Sequence, residues 1–493
     1  MMPKLPFLKS SRAEIARGIL IPALLLFSPP LWAHSFGRIY TLPVPFWLYA
    51  WGGAAALLLS FVVVGWFATA PVSTKTSQGI DLTCFARALR RLHLPAVLQT
   101  LALLCLLLCI VSGYIGSRDP YRNINMTLFW VIFILGFAYA VALLGDLYAR
   151  INPWQTLAQL ISRFWHGFAQ GRWAYPQKLA YWPALALYMA FIWLELFGFI
   201  RPPELSRWLL IYTGINLVAV YAWGARAWFT YGEFFAVFLR LLALMAPVEY
   251  VPGQRLALRW PFVGILNQPT PPWSLLIFVL FMLSSTAFDG LRATVPWFKL
   301  FWLDPTGLLT LWQGRPPIQA FIELRPWYFA YETLCLLLSP FLYLALYLLF
   351  ITLTKWCARS PLPVRTLALR FALSLLPIVL VYHFTHYYTL LLNQGIKIVS
   401  LSSDPFGKGW DLFGTQMLLR APILPDLKFV WHTQVGLIVL GHIASVWVAH
   451  IEALRLFKTR AAAAWSQIPM LFLMVGFTTF GLWILAQPLQ EGR

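Results

Sequence analysis

Two histidines at helical spacing are the first residues in this chain that could do chemistry. His383 and His386 lie three positions apart in an aromatic-rich apolar run. On a helix, both imidazoles would share a face and could bind one divalent ion, zinc or copper. His432 opens the next apolar run and is a candidate third ligand. A bound metal would lower the pKa of a water ligand to about 7 and create a nucleophile. The alternative is a belt of interfacial rings hydrogen-bonded to water.

Three carboxylates lie within or at the ends of apolar runs, where an ionisable group costs about 2.5–3.5 kcal/mol at mid-span. Glu195 lies late in one outward-running segment, Asp289 ends the next, and Glu332 begins an inward-running one. The alternating direction of the spans therefore places all three in the outer half of the membrane, with the two histidines. We expect Asp289 or Asp411 to act there as a metal ligand or a general base, with Glu195 as a further catalytic carboxylate.

The loop 403–415 is the most unusual stretch of the sequence. Its three glycines permit tight turns, and its Asp-Pro pair favours a turn at the start. The Gly-Lys-Gly run lacks the hydroxyl residue and the first glycine of a phosphate-binding P-loop. Two interpretations remain: a structured lid between two helices, or a lid whose Asp404 or Asp411 enters the outer site as a catalytic carboxylate.

Membrane-spanning helices must position these residues. A helix satisfies its backbone hydrogen bonds within one segment, as a chain in lipid requires. The sequence therefore predicts an all-α, polytopic transmembrane bundle of about 10 to 12 spans. Apolar runs long enough to span lie at about 18–33, 46–70, 94–115, 124–146, 179–200, 208–224, 273–291, 328–353, 371–392, 429–454 and 465–487.

The composition excludes a soluble globular protein. Of the 493 residues, 60% are hydrophobic and 11% are charged, whereas soluble domains carry about 25% charged residues. The net charge of +20 is interpreted as the excess of Lys and Arg typical of cytoplasmic loops, and not as nucleic-acid binding. The expected partners are the lipid bilayer and a hydrophobic small-molecule substrate, and a partner membrane subunit is left open.

Charge also predicts the orientation. The basic loops 71–93 and 147–178 are cytoplasmic if the N-terminus starts in the cytoplasm. The segment 226–247 mixes charged residues with aromatic ones, which favours an interfacial or re-entrant helix over a span. If it does not span, the basic segments 354–370 and 455–464 also lie inside. The C-terminus and the proposed site then lie outside.

The first 33 residues have the pattern of a secretory signal peptide, with basic residues before a short apolar stretch. An uncleaved signal anchor is the alternative, and residues 34–493 form a single integral membrane domain. Cleavage after Ala33 would expose the amino group and imidazole of His34 as a chelate for copper.

Several stretches spread over most of the chain resemble a family of bacterial polytopic membrane proteins commonly labelled fenitrothion hydrolase or fenitrothion hydrolase-like. They are Ala33-His34 with 42–48, Trp193 to Leu196, Tyr231 to Phe235 running to Pro247, Ser284 to Leu291, and Ser403 to Thr415. Ser35, Phe406 and Lys408 stand where Gly, Leu and Arg are expected. The resemblance implies a multi-pass protein of the cell inner membrane that hydrolyses organophosphorus triesters and releases a phenol. The predicted site would then face the periplasm. No catalytic residue set follows from the resemblance.

Three functions remain open. A metal-dependent hydrolase of phosphotriesters or other hydrophobic esters would hold its ion with His383, His386 and His432. A transporter or permease component would relay protons or bind a cation through the same carboxylates, although the sequence has no inverted repeat that would favour it. A copper-handling membrane protein would combine His34 with His432.

Overall fold

The computed structural model describes residues 45–67, 80–251, 255–418 and 425–487. Eleven main helices follow in chain order: α1 (Phe46–Phe67), α2 (Leu94–Ile115), α3 (Ile124–Leu144), α4 (Trp182–Phe197), α5 (Pro202–Trp223), α6 (Phe234–Ala243), α7 (Trp273–Arg292), α8 (Phe321–Cys357), α9 (Leu376–Gln394), α10 (Leu427–Leu456) and α11 (Arg460–Ala486). Further helices lie between them at Thr83–Arg91, Tyr148–Ile151, Pro153–Phe164, Val263–Leu266, Val295–Trp302, Leu308–Gln313, Val364–Phe371 and Ile398–Ser403.

Nine helices of the described residues are long and apolar enough to cross a membrane. A 20-residue helix is about 30 Å long, which matches the hydrocarbon core of a bilayer. The remaining two main helices, α4 and α6, are shorter. Each apolar run predicted within the described residues coincides with a helix. The chain is therefore an all-α, multi-pass integral membrane protein, as the apolar pattern predicts. The predicted signal segment 1–33 and His34 lie outside the described residues.

The helices α7 and α9 lie at the centre of the bundle. In α7, 83% of the spanning window is buried inside the protein. It packs against α4, α8 and α9, while α9 also packs against α3 and α10. Gly441 on α10 and Gly481 on α11 allow close approach, because a Cβ at either position would collide with Val381 or Tyr382 of α9.

A small antiparallel sheet marks one end of the bundle, called here the sheet end. Its strands are β1 (Ile80–Asp81), β2 (Val248–Val251) and β3 (Arg255–Leu258), in the order β1-β3-β2. Ile80 and Val248 flank Leu258 on its two sides. The opposite end of the bundle, where α4 and α7 terminate, is called the site end.

The segment between α5 and β2 enters the bundle and turns back. After α5, Gly224 packs closely against the backbone of Gly171. The chain then forms a short helical turn, followed by a π-helical turn over Trp228–Gly232. The helix breaks at Glu233, and the chain returns through α6. Nine of the ten residues of α6 are buried. Ten residues span about 15 Å, half of the hydrocarbon core. This segment is buried and too short to span a membrane, which favours the predicted re-entrant helix over a helix lying on the membrane surface, and it is called here the re-entrant helix.

Opposite charges occupy the two ends of α6. The Glu233 carboxylate accepts hydrogen bonds from the backbone N–H groups of Phe235 and Ala236 at the N-terminus. At the C-terminus, the Arg259 guanidinium donates to three backbone carbonyls, those of residues 243, 244 and 246, and pairs with Glu249 at 2.7 Å. A negative charge at the N-terminus and a positive charge at the C-terminus both interact favourably with the helix dipole. They also satisfy backbone groups that a helix break exposes inside a membrane protein.

Candidate functional site

A carboxylate and an imidazole meet where α7 packs against α9. Asp289 Oδ2 lies 2.8 Å from His386 Nε2, and the two side chains are 6% and 14% exposed. Gly290 faces α11, and a Cβ there would lie 2.9 Å from Ile484 Cγ2. The small residue therefore lets α7 carry the neighbouring carboxylate into the centre of the site end. The sequence proposes both Asp289 and His386 for the site, and the structure brings them together.

Tyr387 connects this pair to Glu195. The Tyr387 hydroxyl lies 3.4 Å from Asp289 Oδ2 and 3.4 Å from Glu195 Oε1. Both contacts are longer than the usual O–H···O distance of about 2.7–2.8 Å and are correspondingly weak. They place one hydroxyl between two carboxylates that belong to different helices. Glu195, Tyr387, Asp289 and His386 together form a line of polar groups across α4, α9 and α7, called here the polar chain.

Three members of the polar chain, Glu195, Tyr387 and Asp289, line a pocket whose empty space, open solvent included, is about 580 Å³. Five helices contribute to the walls: α3, α4, α6, α7 and α9. One part of the lining is aromatic and consists of Phe133, Tyr188, Phe191, Phe234, Phe235 and Phe238. The polar lining consists of Glu195, Ser285, Thr286, Asp289, His383 and Tyr387. A mostly apolar cavity with a few converging polar groups is the usual form of a small-molecule site.

Ring packing fixes the aromatic wall. Tyr188 of α4 stacks on Phe234 with ring centroids 5.8 Å apart and on Phe278 at 5.0 Å. The neighbouring rings of Phe234 and Phe235 lie 3.9 Å apart. Because Phe234 and Phe235 form the first turn of α6, the wall depends on how the re-entrant helix is held.

Glu332 lies next to the site but in a structural ion pair. Its Oε2 is 3.6 Å from Arg292 Nη2, and its Oε1 accepts a hydrogen bond from Trp297 Nε1 at 3.2 Å. Arg292 also donates to the Leu196 carbonyl at 3.1 Å, which ties the end of α4 to the end of α7. This pair holds the helix ends together beside the pocket.

The three histidines proposed as metal ligands do not form one cluster. His386 faces Asp289, whereas the His383 ring packs against Tyr139 and Phe238 at 5.8 and 5.9 Å. His432 is exposed and its Nδ1 lies 2.6 Å from the Lys428 carbonyl. Within the described ranges, no group of three or more His, Cys, Asp or Glu side chains could hold a metal ion. The zinc or copper ion predicted from the sequence therefore gains no support from this arrangement.

The aspartates of the glycine loop serve the loop itself. Asp404 accepts hydrogen bonds from the backbone N–H groups of Lys408 and Gly409 at 2.8 and 2.7 Å. Asp411 accepts one from the N–H of Gln416 at 3.0 Å. The carbonyl of Phe406 accepts a bond from the connection between α2 and α3. The loop is a structured connection docked at the site end, and neither aspartate lines the pocket described above.

Two residues that matter here were not proposed from the sequence as site residues. Tyr387 directly follows His386 in an aromatic stretch, and the sequence gave no reason to prefer this tyrosine over the neighbouring aromatic residues. Tyr188 lies in an ordinary apolar run. Only the three-dimensional packing of α4, α7 and α9 distinguishes these tyrosines from the other rings of the bundle. No protein-family model, curated protein or solved structure matches this chain.

Proposed function

We propose that this integral membrane protein is a hydrolase of hydrophobic esters, phosphotriesters among them, and that Asp289 with His386 activates the attacking water. The observation that carries the proposal is the 2.8 Å contact between His386 and Asp289, a carboxylate that lines an aromatic pocket. A carboxylate and an imidazole held together can take up and return a proton, the work of a general base.

The pocket suits a hydrophobic ester that has partitioned into the bilayer. The aromatic lining supplies apolar contact for an aryl or alkyl group, and the polar lining faces it with proton-transfer groups. This division agrees with the substrate class that the family resemblance implies.

The proposed reaction balances with water as the only co-reactant. Water oxygen forms a bond to phosphorus as the bond from phosphorus to the aryl oxygen breaks. The Asp289–His386 pair takes the proton that water loses, and the departing aryloxide receives a proton to leave as a phenol. The pair takes the role that the sequence had suggested for a metal-bound water.

A chromogenic dialkyl aryl phosphate tests the proposal with purified protein in lipid nanodiscs. Asp289→Asn and His386→Gln are expected to lower the hydrolysis rate by roughly 10²–10⁴-fold, the usual contribution of a general base. His432→Gln is the matched control, because this exposed histidine lies apart from the pocket, and its rate should stay within twofold. Wild-type rates from Asp289→Asn protein inserted at wild-type level would refute the assignment.

Transport of a hydrophobic molecule or a proton is the second candidate, favoured by the polar chain combined with a re-entrant helix. Broken helices beside buried ionisable groups are typical of transporter sites. Flux in proteoliposomes that falls with Glu195→Gln, without formation of a phenol, would favour this function. Placement in the bacterial inner membrane, with the site end and C-terminus in the periplasm, remains a prediction from charge and from the resemblance. The copper-handling hypothesis depends on His34, which lies outside the described residues.

A further inference from the structure

His383 differs from the other histidines in α9 and α10 in its hydrogen bonding. His432 and His442 each place Nδ1 near the carbonyl of the residue four positions earlier. His450 bonds through Nδ1 to Gln467, and His386 bonds through Nε2 to Asp289. In His383, Nδ1 is buried without a hydrogen-bond partner. Among the described residues no hydrogen bond uses its Nε2 either.

The surroundings of His383 are aromatic and confine the ring. The residue is 8% exposed, and its ring lies 5.2 Å from that of Tyr387, with Tyr139 and Phe238 on other sides. The backbone carbonyl of His383 accepts a hydrogen bond from the Tyr139 hydroxyl at 3.3 Å. The imidazole is therefore held in position by ring packing and not by a bond to either ring nitrogen.

Only one nitrogen of this ring is available to a ligand. His383 lines the pocket and its Nδ1 is completely buried, which leaves Nε2 as the ring nitrogen that a molecule in the pocket could reach. Buried polar groups are almost always hydrogen-bonded, and an N–H on Nδ1 would have no acceptor, so the proton of the neutral ring belongs on Nε2, where it needs an acceptor. A bound ligand can provide that acceptor.

We propose that His383 Nε2 donates a hydrogen bond to the phosphoryl or carbonyl oxygen of a hydrophobic ester bound in the pocket. This inference rests on the proposed function and names the polar atom that the site recognises. A neutral imidazole has a single N–H, and with Nδ1 as the bare nitrogen that N–H is on Nε2. The same donor would stabilise negative charge as it develops on that oxygen during attack by water.

The location of His383 relative to Asp289 fits a site in which His383 binds the ester oxygen and Asp289 activates water. The Tyr387 side chain lies between them, with its ring beside His383 and its hydroxyl 3.4 Å from Asp289. Both residues line the same pocket. An ester held through its oxygen at His383 would present its central atom toward the side of the pocket where Asp289 and water lie. The aryl group would then lie against the aromatic wall.

Equilibrium binding of two esters tests the inference directly. The protein carries Asp289→Asn so that bound ester is not consumed. A dialkyl 4-nitrophenyl phosphate is compared with its phosphorothioate, whose sulfur is a weaker hydrogen-bond acceptor. One neutral hydrogen bond corresponds to about a two- to tenfold preference for the phosphate. His383→Gln keeps a donor near the Nε2 position and is expected to retain the preference.

Two further variants separate hydrogen bonding from packing. His383→Asn places its donor near the Nδ1 position, and His383→Leu has none, so both should bind the two esters equally. His442→Leu, which removes another buried histidine outside the pocket, is the control and should keep the preference. Retention of the preference by His383→Leu, equal loss in the Gln and Asn variants, or no ester binding by the parent would overturn the inference.

A hydrolysis assay on protein with an intact Asp289 distinguishes failure of the His383 binding role from failure of the proposed function. If no phenol forms while ester preference still depends on His383, the hydrolase assignment fails and the binding role stands. If phenol forms and preference is independent of His383, the binding role fails alone.

Discussion

The N-terminal cap of the re-entrant helix α6 gives the sharpest test of the fold. Glu233 has no exposed surface and accepts backbone hydrogen bonds at 3.2 Å from Phe235 and 2.7 Å from Ala236. The Tyr212 hydroxyl also donates to it. Glu233→Ala removes all three acceptor contacts at once. Because the site is buried within the bundle, water cannot readily replace them.

The expected loss follows from these contacts. Removing a helix N-cap costs about 0.5–2 kcal/mol, and leaving a buried hydroxyl without an acceptor costs about 1–3 kcal/mol. Together they predict that Glu233→Ala lowers the free energy of unfolding by about 1.5–5 kcal/mol. Loss of the desolvation cost of a buried carboxylate offsets part of this. Glu233→Gln retains one carbonyl oxygen as acceptor and should lose less than half as much.

Unfolding in detergent, followed by circular dichroism, measures these differences. The control is Glu323→Ala, because Glu323 is 64% exposed and pairs with Arg315 at the surface. An exposed pair contributes about 0–1 kcal/mol. Ester affinity should also fall in Glu233→Ala, since Phe234 and Phe235 in the first turn of α6 line the pocket. A loss of stability no larger than that of Glu323→Ala would refute the capping role.

Three further results are expected. Gly113→Ala should destabilise the protein by about 1–3 kcal/mol in thermal unfolding, because a Cβ there would overlap Ser206 Oγ. Gly52→Ala, with no atom within 4 Å of its Cβ, should stay within about 1 kcal/mol of wild type; equal effects would contradict the close α2–α5 contact. Arg259→Met should cost about 2–4 kcal/mol, since it removes charged bonds to the end of α6 and to Glu249; unchanged unfolding would contradict this. After treatment with a chelator, with removal of metal verified by elemental analysis, the hydrolysis rate should stay within twofold of the untreated rate. A rate that is lost on chelation and recovers when zinc is added would refute a base formed by side chains alone.

The convergence of charged residues at one depth could be predicted from the sequence. Apolar length determines which segments span, and alternating direction then assigns a depth to each polar residue. This reasoning placed Glu195, Asp289 and His386 in the same half of the membrane, and the structure joins them through Tyr387. The helix bounds agree because runs of apolar residues leave few alternatives in lipid.

The rotation of each helix could not be predicted in the same way. His383 and His386 lie three residues apart, yet one faces α3 and α6 while the other faces α7. His432 lies in the expected helix but is exposed. Which face of a helix meets a neighbour depends on small residues such as Gly441 and Gly481, whose effect requires knowledge of the partner helix.

The glycine loop illustrates a different limit. Asp404 is a buried carboxylate at the expected end of the bundle, but local backbone geometry satisfies it. Gly407 and Gly409 have φ values of +67° and +86°, and the turn they permit directs nearby N–H groups toward Asp404. A short acidic side chain often bonds to its own loop in this manner. Residue type and depth alone do not separate such a structural aspartate from a catalytic one.

The group that faces each carboxylate distinguishes a structural carboxylate from a catalytic one. The buried Glu332 is opposed by Arg292 and the partly exposed Glu249 by Arg259, both guanidinium groups that stay charged at all physiological pH values. Asp289 is opposed by the imidazole of His386, a type of group that gains and loses a proton near neutral pH. A carboxylate–guanidinium pair can hold two helices together but has no proton to exchange. A carboxylate–imidazole pair can exchange one, and the carboxylate of this pair lines the pocket. The proposed proton transfer is therefore placed at Asp289 and not at Glu332, although the sequence predicts the same depth for both.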